Sequence, residues 1–204
     1  MITIVDYGLG NIQAFVNIYK RLDIPVCLAK SANDLADASH IILPGVGAFD
    51  WAMDRLNASG MRETLDRLVL TESKKVLGIC VGMQMMAKRS DEGQTAGLGW
   101  FDAEVKRFDE TLIQGRTHLP HMGWNNAQPI DTKDLFQDTT ADDRFYFLHS
   151  YYFAPNNAKD LLAQTDYGDR FACAVRRQNI YGVQFHPEKS HGWGIQLLKN
   201  FAGL

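Results

Sequence analysis

Lys75-Val76-Leu77-Gly78-Ile79-Cys80-Val81-Gly82-Met83-Gln84 is the stretch whose reading decides the fold. An apolar run passes directly into a helix-compatible run, and a cysteine flanked by glycines stands at the joint. The pattern predicts a strand over residues 75–79 and a helix over 81–89. Parallel sheets need such joints, because a crossover must carry the chain back before the next strand begins. Glycines at 78 and 82 suit a tight turn with little room for Cβ atoms.

Upstream, the alternation repeats. Ile2–Val5 reads as a buried strand, followed by the turn Asp6-Tyr7-Gly8-Leu9-Gly10. In the amphipathic stretch 11–22, Ile12, Phe15, Val16 and Tyr19 recur at helical spacing. Residues 25–29 and 41–43 read as strands, and 50–56 and 61–70 as helices. Downstream the character changes. Residues 102–108, 144–153, 161–165, 171–175 and 180–185 read as strands separated by polar turns too short for crossover helices. Antiparallel pairing is expected there, with a last helix over 191–201. No repeat or linker interrupts the chain, and the switch near Leu98 reads as a change of sheet topology. The expectation is one α/β domain over residues 1–204: three layers, a parallel N-terminal half, and antiparallel strands added in the C-terminal half.

Bulk properties narrow the function classes. A net charge of -3 offers no basic footprint for nucleic acid or anionic membrane. No apolar run approaches the ~20 residues of a membrane-spanning helix, and the first residues lack the pattern of a signal peptide. Cys27, Cys80 and Cys173 form no Cys-x-x-Cys pair. A disulfide framework is therefore not expected, and a reducing cytoplasm is the expected compartment.

Three distant segments together suggest acyl transfer through a thioester. Gly78-Ile79-Cys80-Val81-Gly82 matches the strand-to-helix nucleophile elbow, with cysteine in place of serine. A thiolate at that joint would be stabilised by helix N–H groups, and the Val81 N–H is a candidate oxyanion donor. Cys27 and Cys173 lie within apolar strands and read as structural. In His186-Pro187-Glu188-Lys189-Ser190, His186 and Glu188 are two apart in what reads as an extended segment. Their side chains then leave on one side, so the acid can orient the base. Pro44-Gly45-Val46-Gly47-Ala48-Phe49 follows a strand and supplies a glycine loop. His118 and His121 flank Pro120, and no cysteine or carboxylate cluster completes a metal site, so no metal or cofactor is expected. The Asp6-Gly8-Gly10 spacing fits neither phosphate-loop fingerprint and reads as a structural turn.

Gly78-Ile79-Cys80-Val81-Gly82-Met83-Gln84 with His186-Pro187-Glu188 resembles the class I (triad) glutamine amidotransferases. Three further segments resemble the branch that serves as glutaminase subunit of imidazole glycerol phosphate synthase in histidine biosynthesis. They are Pro44-Gly45-Val46-Gly47-Ala48-Phe49, Pro120-His121-Met122-Gly123-Trp124-Asn125 and Phe145-Tyr146-Phe147-Leu148-His149-Ser150-Tyr151-Tyr152. The resemblance runs the length of the chain and implies a flavodoxin-like fold with a mixed central sheet flanked by helices. It makes Cys80 the nucleophile, His186 the general acid/base and Glu188 its orienter. It assigns the oxyanion strand to Gly45, Val46 and Gly47, and glutamine binding to Gly47, Gln84, Ser150 and Tyr151. It places His121, Trp124, Asn125 and Tyr146 at or near a partner-facing side. The implied partner is a (β/α)8-barrel cyclase subunit that receives the ammonia in a heterodimer.

A paralogous branch, supplying ammonia for amidino sugars of surface polysaccharide, shares the triad. Ala14-Phe15 departs from the Ser-Val pair of the histidine branch, and Gly97-Leu98-Gly99-Trp100 and Lys189-Ser190-His191-Gly192-Trp193 resemble the sugar branch, so the pathway stays open between the two. Outside the family stand another cysteine hydrolase, which Gln84 argues against, and a non-catalytic binding module, which the intact triad argues against.

Overall fold

Ile2–Val5 forms strand β1, and all four residues are buried. A strand apolar on both faces belongs inside a parallel sheet covered on both sides. Helix α1 (Ile12–Arg21) buries Phe15, Val16, Ile18 and Tyr19, and places Lys20 and Arg21 in its last turn, where cations complement the helix dipole. Strand β2 (Val26–Ala29) follows, then the short α2 (Ala32–Leu35), whose Ser31 and Asp34 form a capping box. Strand β3 (His40–Gly45) leads to α3 (Phe49–Ala58) and α4 (Arg62–Asp66). The helix predicted over 61–70 divides, since α4 widens into a π-type turn at Arg67–Thr71. Strand β4 (Lys75–Cys80) then enters α5 (Val81–Gln84). The structure, a computed structural model, describes residues 1–113, 118–140 and 142–204.

Helix α5 is only 4 residues long, where the pattern predicts a helix to residue 89. The carbonyls of Met85, Met86, Ala87 and Lys88 accept instead from the N–H groups of Leu98, Phe101, Gly99 and Gly97, at 2.7, 3.0, 3.1 and 2.9 Å. A helix to residue 89 would give the Met85 carbonyl to the Arg89 N–H and the Lys88 N–H to the Gln84 carbonyl; Leu98 takes the first, and the Lys88 N–H donates instead to the Ala103 carbonyl at 3.0 Å. Residues 89 and 90 fall in a strand, β5 (Arg89–Ser90), followed by β6 (Ala103–Arg107), β7 (His121–Asn126) and β8 (Gln128–Pro129). The remaining strands are β9 (Arg144–His149), β10 (Tyr151–Pro155), β11 (Leu161–Tyr167), β12 (Asp169–Arg177) and β13 (Ile180–Val183). Helix α6 (His191–Gly203) ends the chain.

The main sheet runs β2-β1-β3-β4-β13-β12-β10-β6-β5, with β11 attached to β12 and β8. Pairing is parallel from β2 through β13, antiparallel from β13 to β6 and parallel again between β6 and β5, so antiparallel strands are added as expected, but β13, read among them, also closes the parallel half against β4. The stretch read as one strand over 144–153 is two, broken at Ser150. Strand β10 stays in the main sheet, while β9 joins β7 in a separate two-stranded sheet. Strand β7, which the sequence reading missed, contains Gly123 and two asparagines, poor strand formers. It forms because all of its residues pair with β9.

Register places the site. Gly45 at the end of β3 lies opposite Cys80, and Val183 at the end of β13 lies opposite Ile79. The glycine loop, the elbow and the segment leading to His186 therefore converge at one carboxyl edge, where open α/β sheets hold ligands. Among the described residues, no helix is long and apolar enough to cross a membrane.

Candidate active site

Cys80 sits at the elbow with φ 55° and ψ −115°, a left-handed conformation uncommon for a residue with a side chain. The turn is forced by close backbone packing. A Cβ on Gly82 would lie 2.0 Å from the Leu43 carbonyl oxygen, and one on Gly45 would lie 2.4 Å from the Gly82 nitrogen. Gly45, expected in the oxyanion strand, is thus the packing point beneath the elbow, while Val46, Gly47 and Val81 line the cavity. With α5 so short, stabilisation of a thiolate falls to individual N–H groups rather than to a long helix dipole.

The glycine loop is held at both ends. The Tyr7 hydroxyl donates to the Pro44 carbonyl at 2.6 Å, and the Phe49 N–H donates to Glu92 Oε2 at 2.9 Å. Between these anchors Gly47 has φ 85° and is exposed.

His186 is tethered by its backbone: its N–H donates to the Tyr146 carbonyl at 2.8 Å, and the Ser190 hydroxyl donates to its carbonyl at 2.6 Å. Its Nδ1 lies 2.9 Å from Glu188 Oε1. The segment is not extended as the sequence suggests. Pro187 opens a 3-10 turn over Pro187–Lys189, and that turn brings Glu188 back to the ring. Burial disfavours a charged imidazole here, yet hydrogen bonding and charge from Cys80 and Glu188 outweigh it and raise the pKa to about 10. The protonated ring is the favoured state of His186, with Nδ1 turned to Glu188 and Nε2 left for Cys80.

The cavity above Cys80 has a volume of about 290 Å³, at the small end for ligand sites and suited to a free amino acid. Gln84, Ser150 and Tyr151, the residues that the resemblance assigns to glutamine, are among those that line it. Gln84 Nε2 donates to the Tyr151 carbonyl and to Gln184 Oε1, both at 3.0 Å, and Gln184 Nε2 lies 3.9 Å from the Cys80 sulfur. The sequence reading missed Tyr7, Glu92 and Gln184. Gln184 had a signal, a lone amide within an apolar strand, whereas Glu92 stands in a polar loop with none.

The residues assigned to a partner-facing side divide. Trp124 is exposed, and Tyr146 and Asn125 are half-buried. His121 is buried at 4% exposure, its ring stacked between Phe147 and Tyr167 at 4.7 and 4.1 Å. It cannot meet a partner directly. Its neighbours on paired strands, Met122 and Leu148, are exposed instead.

A glutamine amidotransferase class-I family model matches residues 3–203. The chain belongs to this family. Curated relatives include imidazole glycerol phosphate synthase subunit HisH of Bdellovibrio bacteriovorus, 57% identical with 100% of both chains covered. The subunit of the same name from Leptospira interrogans is 46% identical, again with full coverage of both. Among solved structures, a glutamine amidotransferase superposes with a TM-score of 0.76 at 18% identity, covering 100% of this chain and 99% of the other. PurLQS of Thermotoga maritima gives 0.72 at 15% identity, covering 99% and 97%. These structural likenesses establish the class I amidotransferase fold, a single α/β unit around a mixed sheet. The family membership makes the protein a glutamine amidotransferase.

Proposed function

We propose that the protein is the glutaminase subunit of an imidazole glycerol phosphate synthase, acting through Cys80, His186 and Glu188 within one domain over residues 1–204. The observation that carries this reading is the 2.9 Å His186–Glu188 pair beside a thiol at a strained elbow, in a cavity of amino-acid size. In the cavity, Gln84, Ser150, Tyr151 and Gly47 hold glutamine. Both Gln84 N–H bonds are committed, so its Oε1 faces the substrate, and the Glu92 carboxylate in the wall complements the α-ammonium.

The Cys80 thiolate attacks the side-chain amide carbon, forming a C–S bond and an oxyanion within reach of the N–H groups of Val46, Gly47 and Val81. One such donor is worth ~3 kcal/mol in the transition state. Protonated His186 gives its proton to the leaving nitrogen as the C–N bond breaks and ammonia departs. Neutral His186 then takes a proton from water, which attacks the thioester and releases glutamate, restoring the thiolate and imidazolium.

Ammonia freed into water would become ammonium and lose its nucleophilic lone pair, so it must pass to an acceptor site directly. The acceptor in this reading is a (β/α)8-barrel cyclase subunit, which uses the ammonia to convert N'-(phosphoribulosylformimino)-AICAR-phosphate to imidazole glycerol phosphate and AICAR ribotide. Exposed Met122, Trp124 and Trp193, with Tyr146, form an apolar surface beside cavity-lining Leu148 and Lys189 on which it would dock. The heterodimer would work in the cytoplasm. The curated relatives at full-length coverage favour this pathway over the amidino-sugar branch.

Glutamate release measured with the genomic cyclase partner, with and without that precursor, tests the reading. Stimulation by the precursor that vanishes in Cys80→Ala is expected. Cys80-dependent release indifferent to the precursor would transfer the protein to the sugar branch, and no release under either condition would sink the glutaminase reading.

A further inference from the structure

Against the Tyr151 carbonyl stands a pair of buried imidazoles that the chemistry above leaves unused, His149 in the cavity wall and His121 behind it. His149 Nδ1 lies 2.8 Å from the Tyr151 carbonyl oxygen. A carbonyl only accepts, so Nδ1 carries the proton and Nε2 holds a lone pair. That Nε2 is 3.1 Å from His121 Nδ1, which must therefore donate. His121 Nε2 in turn accepts from Asn125 Nδ2 at 3.4 Å, and the same amide donates to the Asp166 carbonyl at 2.9 Å. Asn125 Oδ1 takes the Asn126 N–H at 2.9 Å, which fixes the orientation of the amide. Backbone carbonyls at both ends leave a single consistent set of proton positions.

The rings are as constrained as their protons. His121 is stacked between Phe147 and Tyr167, and His149 packs against Phe108 and Phe171, each at 5.4 Å. Burial lowers the pKa of His121 to about 4. Burial, followed by the neighbouring His121, lowers that of His149 to about 3, so both are uncharged near neutrality. The Tyr151 carbonyl lies just past the Ser150 break between β9 and β10, and it receives Gln84 as well as His149. From there Gln84 reaches Gln184, and Gln184 the nucleophilic sulfur.

We propose that His149 and His121 are positioning residues, a tautomer-locked imidazole pair that fixes the Tyr151 carbonyl and, through it, the Gln84 amide in the glutamine cavity. The role rests on the glutaminase reading, because glutamine is what the positioned amide would hold. With ring protons set this way, strand β7 is wired to the wall of the cavity without touching substrate.

Two substitutions separate the bonds that His149 makes. In His149→Asn the side-chain amide overlays Nδ1 and keeps the bond to Tyr151. In His149→Gln the amide overlays Nε2, keeps His121 and loses Tyr151. With the full chain and its cyclase partner, H149Q should raise the KM for glutamine ~5–10-fold, the worth of one hydrogen bond, with a smaller change in kcat. H149N should raise it less than about threefold on the same scale. Independently, nitrogen NMR of the histidine-labelled parent at neutral pH should show His149 protonated at Nδ1 and bare at Nε2.

Equal KM values for two folded variants would overturn the proposal, as would an Nε2–H tautomer in the parent. If H149Q does not fold, the tautomer assignment carries the test. Absence of Cys80-dependent glutamate release from the parent would reject the glutaminase reading first, an outcome distinguishable from an active parent that H149Q matches.

Discussion

His186 and His149 are the same side chain in comparably dry places, at 3% and 7% exposure, and they are driven in opposite directions. His186 rises to about 10, while His149 falls to about 3. Burial acts on both alike, against the charged ring. The difference lies in partners: His186 meets a carboxylate and a thiol, both able to carry negative charge, whereas His149 meets a carbonyl and a second imidazole. In the proposed mechanism the first region stores a proton for a leaving group, and the second holds its protons still so that a binding wall keeps its shape. Burial by itself does not decide the charge of a histidine.

The largest break in this comparison comes from Cys80→Ala. Glutamate release should fall by at least ~10³-fold, since loss of a nucleophile removes the covalent route. The His186 ring should also titrate lower by nitrogen NMR, because Cys80 supplies the leading influence that raises it, while His149 should not move. A His186 titration identical to the parent's would remove the thiol from the account.

Glu188→Gln keeps the shape of the pair and removes its charge. In the proposed mechanism protonated His186 is the acid, so activity should be lost as pH rises through the ring's pKa, about 10 in the parent. The variant should lose ~10²-fold in kcat, within the range for a misplaced general acid, and its alkaline limb should move toward neutrality. A pH–rate profile decides this; an alkaline limb that stays in place would deny Glu188 its electrostatic part.

The smallest effect concerns stability and separates the two regions by pH. An unfolded histidine binds its proton below its ordinary value of 6.5, whereas folded His121 and His149 resist to about 4 and about 3. Stability should therefore fall as pH drops from 6.5 toward 4, where the unfolded chain holds more protons. The His186 contribution runs the other way, full below 6.5 and fading as pH rises toward 10. Urea unfolding at a series of pH values measures both limbs. His121→Phe should lower the starting stability and flatten the acid limb, and an acid limb of parental steepness would contradict the assignment.

The legibility of this protein follows the range of the forces involved. The parallel half was readable because each strand and helix advertises itself by local periodicity, and the elbow because glycine, cysteine and glycine are contiguous. The triad was readable as chemistry, although the geometry behind it differed: Glu188 reaches His186 through a 3-10 turn rather than along an extended strand. What went unread was non-local. The helix behind Cys80 ends early because Leu98 claims the Met85 carbonyl and Ala103 the Lys88 N–H, and β7 exists only because β9 pairs with it. The resemblance put His121 at or near a partner-facing side, and nothing in the motif told that Phe147 and Tyr167 enclose its ring.

The sequence by itself determined the α/β class, the Gly-x-Cys-x-Gly elbow, the candidates for nucleophile, base and acid, and the amidotransferase family. Those depend on residue type and on spacing within a few positions, where steric and periodic rules act directly. Only the tertiary structure decided that Gly45 packs beneath the elbow rather than lining the cavity, and that Glu92 anchors the glycine loop. It alone decided which histidine is held charged and which neutral, because partners, and not residue type, set the free energy of a buried proton.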